Sequence, residues 1–496
     1  MSPALADAPS KPSLVDSISP SSVEPVEDKA ERVEIDRSMR GTVLLFYGAA
    51  IAWLLLGSLF ALITSLKFNI PGFAADTAAM TFGRVRPAHL NAVIYGWAAQ
   101  AAIGTGLWLM ARLCRVAVRH GGILYAAWAL YNLGVTIGIY GILNGHGTSV
   151  EYLEFPRWAS VVVFAGFALV AIWSVIMFRF RKPGHVYVTQ WFILAAFFWF
   201  PWLYATANLI IFYLPVQAAV QGPVNWWFGH NVLGLFFTPI GVGAAYYLIP
   251  KVIGRPIHSY YLSILGFWSL AFFYSWNGMH HLIGGPFPAW LISASIVASF
   301  MMVVPVVTTA INHHLTMKGH FGALRWSPTL RFTVFGAMAY TVASLQGSSM
   351  AIRSWNQITH FTHYTVGHAH IGMYGFFTMV MFGSMYYIVP RLVGWEWPSA
   401  RLIRWHFWLS AVGIVLMFSV LSVAGLIQGF AMNDPAITFS SSTNYTKPFL
   451  WARSVSGLLL TGGHIAFAAS FALILLRAGS RRDRPTLFAK PEDVAS

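Results

Sequence analysis

Residues 364–390 read YTVGHAHIGMYGFFTMVMFGSMYYIVP, an apolar stretch without a single Asp, Glu, Lys or Arg. About 20 consecutive residues of this kind allow an α-helix to cross the hydrocarbon core of a bilayer, which is roughly 30 Å thick. Two histidines, His368 and His370, lie near the start of the stretch. Polar side chains inside a membrane helix are costly and mark functional sites. The stretch therefore predicts a membrane-spanning helix that carries functional histidines.

The rest of the chain has the same character. Of the 496 residues, 57% are apolar and only 9% are charged, whereas a soluble domain has about 45–50% and about 25%. The composition excludes a soluble protein, and we predict an all-α, polytopic membrane protein with a twelve-helix bundle. The predicted spans are residues 41–66, 88–111, 121–144, 158–178, 187–214, 224–250, 260–284, 288–313, 329–350, 364–390, 402–430 and 453–477.

The distribution of charge predicts the orientation. With the N-terminus inside, only seven of the 31 Lys and Arg residues fall in outer loops, which agrees with the positive-inside rule and puts both termini in the cytoplasm. The net charge of +15 is spread over many cytoplasmic segments, so nucleic-acid binding is excluded. We predict a disordered tail at 1–40, the helical domain at 41–478 and a second tail at 479–496. The outer basic residues are Lys67, Arg84, Arg86, Arg157, Arg353, Lys447 and Arg453.

Histidine is the residue type that can support metal chemistry here. The single cysteine, Cys114, excludes an intramolecular disulfide and any Cys-based metal site. No predicted span contains a carboxylate, which disfavours an ion-coupled carrier. A lone histidine in a span, such as His406 or His464, is expected to bond to a backbone carbonyl. Six others share a common depth in the outer third and predict a metal centre: His89, His230, His280, His281, His368 and His370.

The spacing of His368 and His370 separates two metals. Residues two apart differ by about 200° around a helix, so these two imidazoles point to opposite sides and cannot share one ion. His89 is free to pair with one of them. Ligation by two histidines from two helices is a low-spin haem arrangement, whereas a single proximal histidine leaves an open iron face for a small ligand.

The adjacent His280 and His281 predict a third metal. They lie about 100° apart at a predicted helix end, so both can turn toward one ion. His230, on the preceding span, can supply a third ligand. Three imidazoles with an open position suit copper or zinc, and copper fits a redox role better.

Four motifs in order along the chain carry a resemblance to a known family. They are RVRPAH at 84–89, WWFGHN at 226–231, YSWNGMHH at 274–281 and GHAH at 367–370. From about residue 41 to about residue 480, the sequence resembles subunit I of the haem-copper oxidoreductases, and specifically the catalytic subunit of the C-type (cbb-type) cytochrome c oxidases.

The resemblance implies a role for each histidine and for one tyrosine. Tyr274 corresponds to the active-site tyrosine of the family, which is covalently joined to the first copper-ligating histidine, here His230. The implied metal ligands are His89 and His370 for a low-spin haem b, His368 for a high-spin haem b, and His230, His280 and His281 for copper.

Charged residues in the outer loops are implied to complete the cofactor site. The segment EYLEFP at 151–156 is similar to an acidic loop that binds calcium in the family, with Glu151 favoured over Glu154 as ligand. Arg86 and Arg453 are candidates to neutralise haem propionates. One position departs from the family pattern, since Gln346 stands where the family has a Glu, and this puts the tuning of the high-spin haem in doubt.

The resemblance also implies a proton path and partner proteins. Hydroxyl groups near the inner ends of spans 6 to 8 are similar to the proton-uptake path of the C-type enzymes: Tyr246, Tyr260, Ser263 and Thr316. The chain has no CxxCH motif for haem c attachment. We therefore expect electrons to arrive from membrane-anchored mono-haem and di-haem cytochrome c subunits, with soluble cytochrome c as the indirect donor, in the bacterial cytoplasmic membrane.

The implied function is reduction of dioxygen to water, coupled to proton translocation across the lipid bilayer. A nitric oxide reductase shares the fold but uses carboxylates near its second metal and lacks the tyrosine of helix 7, so Tyr274 favours oxygen reduction. A haem-binding transporter or gas sensor would not need the copper triad. Metal analysis separates the three alternatives.

Overall fold

The computed structural model describes residues 26–482, with side chains from residue 29 onward. A helix occupies each of the twelve predicted positions, which confirms the fold class. Nine of these helices within the described residues are long and apolar enough to cross a membrane, and α2, α7 and α9 complete the bundle. The helices are α1 Val26–Asn69, α2 82–114, α3 Gly122–Leu143, α4 Arg157–Arg179, α5 Val188–Tyr213, α6 Ala218–Ile253, α7 Tyr260–Tyr274, α8 Ala289–Met317, α9 Pro328–Met350, α10 His363–Val393, α11 Ala400–Met432 and α12 Phe439–Leu475.

Helix α1 begins earlier than the sequence predicts. The predicted disorder of residues 1–40 is wrong for residues 26–40, which are helical, and residues 1–25 lie outside the described residues. Ile35 and Met39 are buried against the bundle. The carboxylate of Asp36 accepts hydrogen bonds from Arg112 (3.2 Å) and Trp108 (2.9 Å) of α2. These tertiary contacts stabilise a segment that is too polar to be a span.

The predicted C-terminal tail is folded over its first residues. After α12 ends, the chain returns to the loop between α10 and α11, where Trp395 and Arg481 form an isolated antiparallel bridge. Arg482 also pairs with the buried carboxylate of Glu396 at 3.1 Å. Residues 483–496 lie outside the described residues.

The three helices that carry functional histidines each contain a wide π-helical segment. These segments span Ala92–Ala98 in α2, Leu233–Phe237 in α6 and Ile371–Thr378 in α10. Each begins within three residues of His89, His230 or His370. A π segment changes the direction of the side chains beyond it and is frequent at functional sites.

Helix α7 ends earlier than predicted. The span 260–284 was expected to be helical throughout, but α7 stops at Tyr274 and His280 and His281 lie in a separate 3₁₀ turn, Met279–Leu282. The turn depends on Gly278, which has a φ of +118°. A Cβ at this position would lie 2.4 Å from the carbonyl oxygen of Trp226, so only glycine allows the loop to approach α6 this closely.

Candidate active site

One end of the bundle, near the loop 144–156, contains a cavity of about 430 Å³. Five of the six predicted ligands line it, together with Tyr274, Arg86 and Arg453, while His280 is buried behind His281. Helices α2, α6, α9 and α10 and the turn after α7 therefore converge on one space. The histidines that line the cavity are His89, His230, His281, His368 and His370.

His230, His280 and His281 come together as a triad. Their ligand atoms all lie within 4.8 Å of one another. The Nδ1 atom of His230 is 3.1 Å from Nε2 of His281, a distance at which two imidazoles can face one cation. Among the described residues, this is the group of three or more histidines, cysteines or carboxylates that meets the geometry of a metal site. A set of three imidazole nitrogens without a carboxylate suits copper.

The orientation of His280 is determined by two serines of α8. The Nδ1 atom of His280 lies 3.0 Å from Ser295 Oγ and 2.9 Å from Ser299 Oγ. Ser299 donates its own hydrogen to Asn277 at 2.7 Å, so it accepts from the Nδ1–H of His280. This bond leaves Nε2 of His280 as the free ligand atom. Sequence reasoning missed both serines because a serine inside an apolar helix has no local signature.

Tyr274 packs directly on the triad. Its ring centroid is 4.9 Å from that of His230, with an angle of 30° between the planes. The ring lies over Gly234, one turn after His230 in α6. A Cβ at Gly234 would be 1.7 Å from Cε1 of Tyr274. The absence of a side chain at this position thus creates the space that the ring occupies.

His89 and His370 have the same second contact. The Nδ1–H group of His89 donates to the carbonyl of Gly57 at 2.9 Å, and that of His370 donates to the carbonyl of Val366 at 2.8 Å. In both cases Nε2 remains available on the cavity side. Such contacts to the second nitrogen are typical of metal-binding histidines, because they select the tautomer and hold the ring. The residues present therefore fit a haem held by two histidines.

His368 has a side-chain partner. Its Nδ1–H group donates to Oε1 of Gln346 at 3.3 Å. Gln346 is buried in α9, so the position that departs from the family pattern lies next to the predicted proximal ligand. A neutral amide supports the imidazole here without adding charge.

The predicted propionate and calcium residues lie at the outer rim. Arg453 and Arg86 line the cavity, and Arg86 pairs with Glu151 at 3.4 Å. The carboxylate of Glu154 is buried and accepts a bond from Asn91 at 3.1 Å. Burial raises the pKa of Glu154 to about 7. Calcium binding by the two glutamates stays a prediction.

The predicted proton-path residues are joined by one that sequence reasoning missed. Asn312 in α8 lies 3.4 Å from the hydroxyl of Tyr246, and its backbone carbonyl accepts from Thr316 at 2.6 Å. The hydroxyls of Tyr260 and Ser263 donate to backbone carbonyls at 3.0 and 2.7 Å. Asn312 therefore connects Tyr246 and Thr316, while the other two stay apart from this contact. A lone Asn among histidines in an apolar run carried no signal.

Comparison with known proteins agrees with this site. The family model described as Cytochrome C and Quinol oxidase polypeptide I matches residues 41–459. The chain belongs to this family. The resemblance inferred from the four motifs is thereby confirmed.

Relatives within the family include cytochrome c oxidase subunits. The Cytochrome c oxidase subunit 1 homolog of Agrobacterium tumefaciens is 31% identical over 452 residues, covering 86% of this chain and 82% of the relative. The Cbb3-type cytochrome c oxidase subunit CcoN1 of Stutzerimonas stutzeri is 32% identical over 437 residues, covering 84% and 91%. Similarity to a nitric oxide reductase polypeptide of Stutzerimonas stutzeri is weaker, with 26% identity over 342 residues, 65% of this chain and 68% of the relative.

The fold also matches a solved structure of the family. The cryo-EM structure of a heme-copper terminal oxidase dimer superposes with a TM-score of 0.69, covering 92% of this chain and 86% of the other. Sequence identity is 16%, so this likeness concerns the fold alone.

Proposed function

We propose that the protein is the catalytic subunit of a cbb-type terminal oxidase, which reduces dioxygen to water with electrons from cytochrome c. The observation that carries the proposal is the histidine triad, whose ligand atoms lie within 4.8 Å of one another with the ring of Tyr274 against His230. The similarity to cytochrome c oxidase subunits over most of the chain supports it.

The six histidines receive roles that their contacts support. We propose that His89 and His370 hold a low-spin haem b and that His368 holds a high-spin haem b. His230, His280 and His281 would then hold copper. When bound, the haems and copper supply electron transfer and the binding of dioxygen. The protein keeps each ring in one orientation through its Nδ1 contacts or its neighbours.

Tyr274 has a separate role in the proposal. Its hydroxyl group borders the cavity and is the proton donor that lies closest to the triad on the α7 side. Because its ring is stacked on His230, a covalent link between the two side chains needs little movement. The link would hold the phenol beside the place where dioxygen is reduced.

Protons and electrons would enter from different sides. We propose that protons pass from the cytoplasm along Thr316, Asn312 and Tyr246, with Ser263 and Tyr260 near the entrance, and that proton translocation is coupled to turnover. Both termini would lie in the cytoplasm of a bacterium, in its inner membrane. Membrane-anchored mono-haem and di-haem cytochrome c subunits would supply electrons from soluble cytochrome c on the outer side. A calcium ion at Glu151 and Glu154 would lie near the haem propionates.

Metal and optical analysis of the purified complex tests the proposal. We expect one copper for every two b-type haems of this chain, and loss of copper with retention of both haems when His230, His280 or His281 is changed singly to Ala. His314, which is exposed on α8, provides the control His314→Ala, which should keep all metals. Additional iron in place of copper would instead indicate a nitric oxide reductase, and no third metal would indicate a haem sensor.

The haem ligands are tested by the same measurement. His89→Ala and His370→Ala should each abolish the low-spin haem spectrum, since a six-coordinate iron needs both axial ligands. His368→Ala should spare that spectrum and remove the high-spin haem. If His368→Ala abolished the low-spin signal and His370→Ala left it, the assignment within the HxH pair would be wrong.

A further inference from the structure

A chain of side-chain hydrogen bonds crosses the bundle next to the proposed low-spin haem site. Ser58 Oγ in α1 lies 2.7 Å from Nδ1 of His464 in α12. The other ring nitrogen of His464, Nε2, lies 2.7 Å from the hydroxyl of Tyr374 in α10, which in turn is 3.1 Å from Ser410 Oγ in α11. Ser58, His464 and Ser410 are buried. Four helices are thus connected by polar contacts at one level.

The direction of the bonds is determined by the far end of the chain. The Ser58 hydroxyl donates to the carbonyl of Leu54 at 2.7 Å, so Ser58 accepts from the Nδ1–H of His464. The lone pair on Nε2 of His464 then accepts from Tyr374. Both nitrogens of this imidazole are therefore used by side chains. The sequence predicts a backbone carbonyl as the partner of His464, and the structure contradicts this prediction.

Both ends of the chain lead to an axial ligand. The residue before Ser58 is Gly57, whose carbonyl accepts from Nδ1 of His89 at 2.9 Å. At the other end, Tyr374 follows His370 by one helical turn in α10. The path from Gly57 through Ser58, His464 and Tyr374 therefore joins the backbone group that orients His89 to the helix that carries His370.

We propose that His464 is a positioning residue for the low-spin haem. Through its bonds to Ser58 and Tyr374, it sets the placement of the α1 segment that orients His89 relative to the α10 turn that follows His370. The inference rests on the proposed binding of one haem by these two histidines. It adds a contact between the supports of the two ligands, which neither ligand makes by itself.

The local packing explains why a polar link is needed at this level. Within a membrane, helices associate through van der Waals packing, which leaves small sliding movements inexpensive. A hydrogen bond inside the bundle has no competing water, so it restrains such movements. Bis-histidine ligation is sensitive to them, because second contacts of the ligands determine the direction of each ring.

The same helix offers a matched control at another level. Tyr386 in α10 donates or accepts a bond with Nδ1 of the buried His406 at 2.8 Å. This pair has the same chemistry as Tyr374 and His464. Within the described residues, its hydrogen bond does not involve Gly57 or Ser58. Tyr386→Phe therefore deletes an equivalent hydroxyl without touching the proposed link.

Electron paramagnetic resonance and optical spectra of the purified complex test the inference. We expect Tyr374→Phe and Ser58→Ala to shift the g values of the low-spin haem while haem and copper contents stay unchanged. His464→Leu should convert part of this haem to a form that binds carbon monoxide, and His464→Gln, which can bond to both neighbours, should reverse part of that loss. Tyr386→Phe should give the wild-type spectrum.

Two results would overturn the inference and leave the proposed function intact. One is wild-type g values in both Tyr374→Phe and Ser58→Ala. The other is a shift of equal size in Tyr386→Phe, which would mean that any buried hydroxyl of α10 has the effect. A wild-type protein without a bis-histidine signal would overturn the proposed haem site itself, and the inference with it.

Discussion

Replacing Gln346 by Glu adds one negative charge behind the proposed high-spin haem ligand. The amide oxygen of Gln346 is 3.3 Å from Nδ1 of His368, and the residue is buried in α9. Glu has almost the same shape and can accept the same bond. The charge should stabilise ferric over ferrous iron, because a negative group favours the more positive metal centre. We therefore expect the reduction potential of the high-spin haem to fall.

The structure allows the size of the effect to be worked out. The bond of 3.3 Å, the width of an imidazole ring and an iron–nitrogen bond of about 2 Å place the carboxylate roughly 8 Å from the iron. At an effective dielectric constant of about 20, this charge is worth about 2 kcal/mol. For a one-electron couple this equals about 90 mV. The stronger bond from the imidazole N–H to a carboxylate acts in the same direction.

Redox titration of both haems, followed optically at several pH values, measures the shift. The high-spin potential of Gln346→Glu should lie below that of wild type at high pH, and the difference should shrink at low pH as the carboxyl group is neutralised. The low-spin haem should shift less. Gln100, which is buried in α2 and does not line the cavity, provides the control Gln100→Glu.

The reasoning is refuted by an unchanged high-spin potential at every pH. That result would mean that Gln346 does not act on the proximal ligand, whatever their distance in the bundle. An equal shift in Gln100→Glu would show instead that the measurement responds to any buried charge.

Three further predictions concern other parts of the site. Gly234→Ala would place a methyl group 1.7 Å from the Tyr274 ring, so the ring must move, and peptide mass spectrometry should no longer find the Tyr274 peptide joined to the His230 peptide; a wild-type amount of the joined peptide would contradict this. Asn312→Leu should slow proton uptake, followed with a pH indicator during reoxidation, by about tenfold or more, and an unchanged rate would remove Asn312 from the path. Glu154→Gln should abolish bound calcium in metal analysis while haem content stays the same; full calcium content would exclude Glu154 as a ligand.

The sequence alone determined the membrane architecture. A run of about 20 apolar residues has only one stable form across a bilayer, so helix positions follow from local composition. The same holds for the HxH pair, because the angle between His368 and His370 depends only on helix geometry. The sequence also marked Gln346 as a departure, and the structure brings it within 3.3 Å of His368.

Only the tertiary structure decided which groups meet. His230 and His281 are far apart in the chain, and the 3₁₀ turn that brings them to 3.1 Å depends on the close approach of Gly278 to α6. The helical start of α1 likewise depends on Asp36 finding Arg112.

The second contacts of the ligands belong to the same class. Ser295, Asn312 and His464 have no periodic or compositional signal, because a polar residue in an apolar helix reads the same whether it faces a ligand, a neighbour or a carbonyl. Their roles follow from contacts between helices. Such contacts are set by packing across the bundle, which local sequence patterns do not encode.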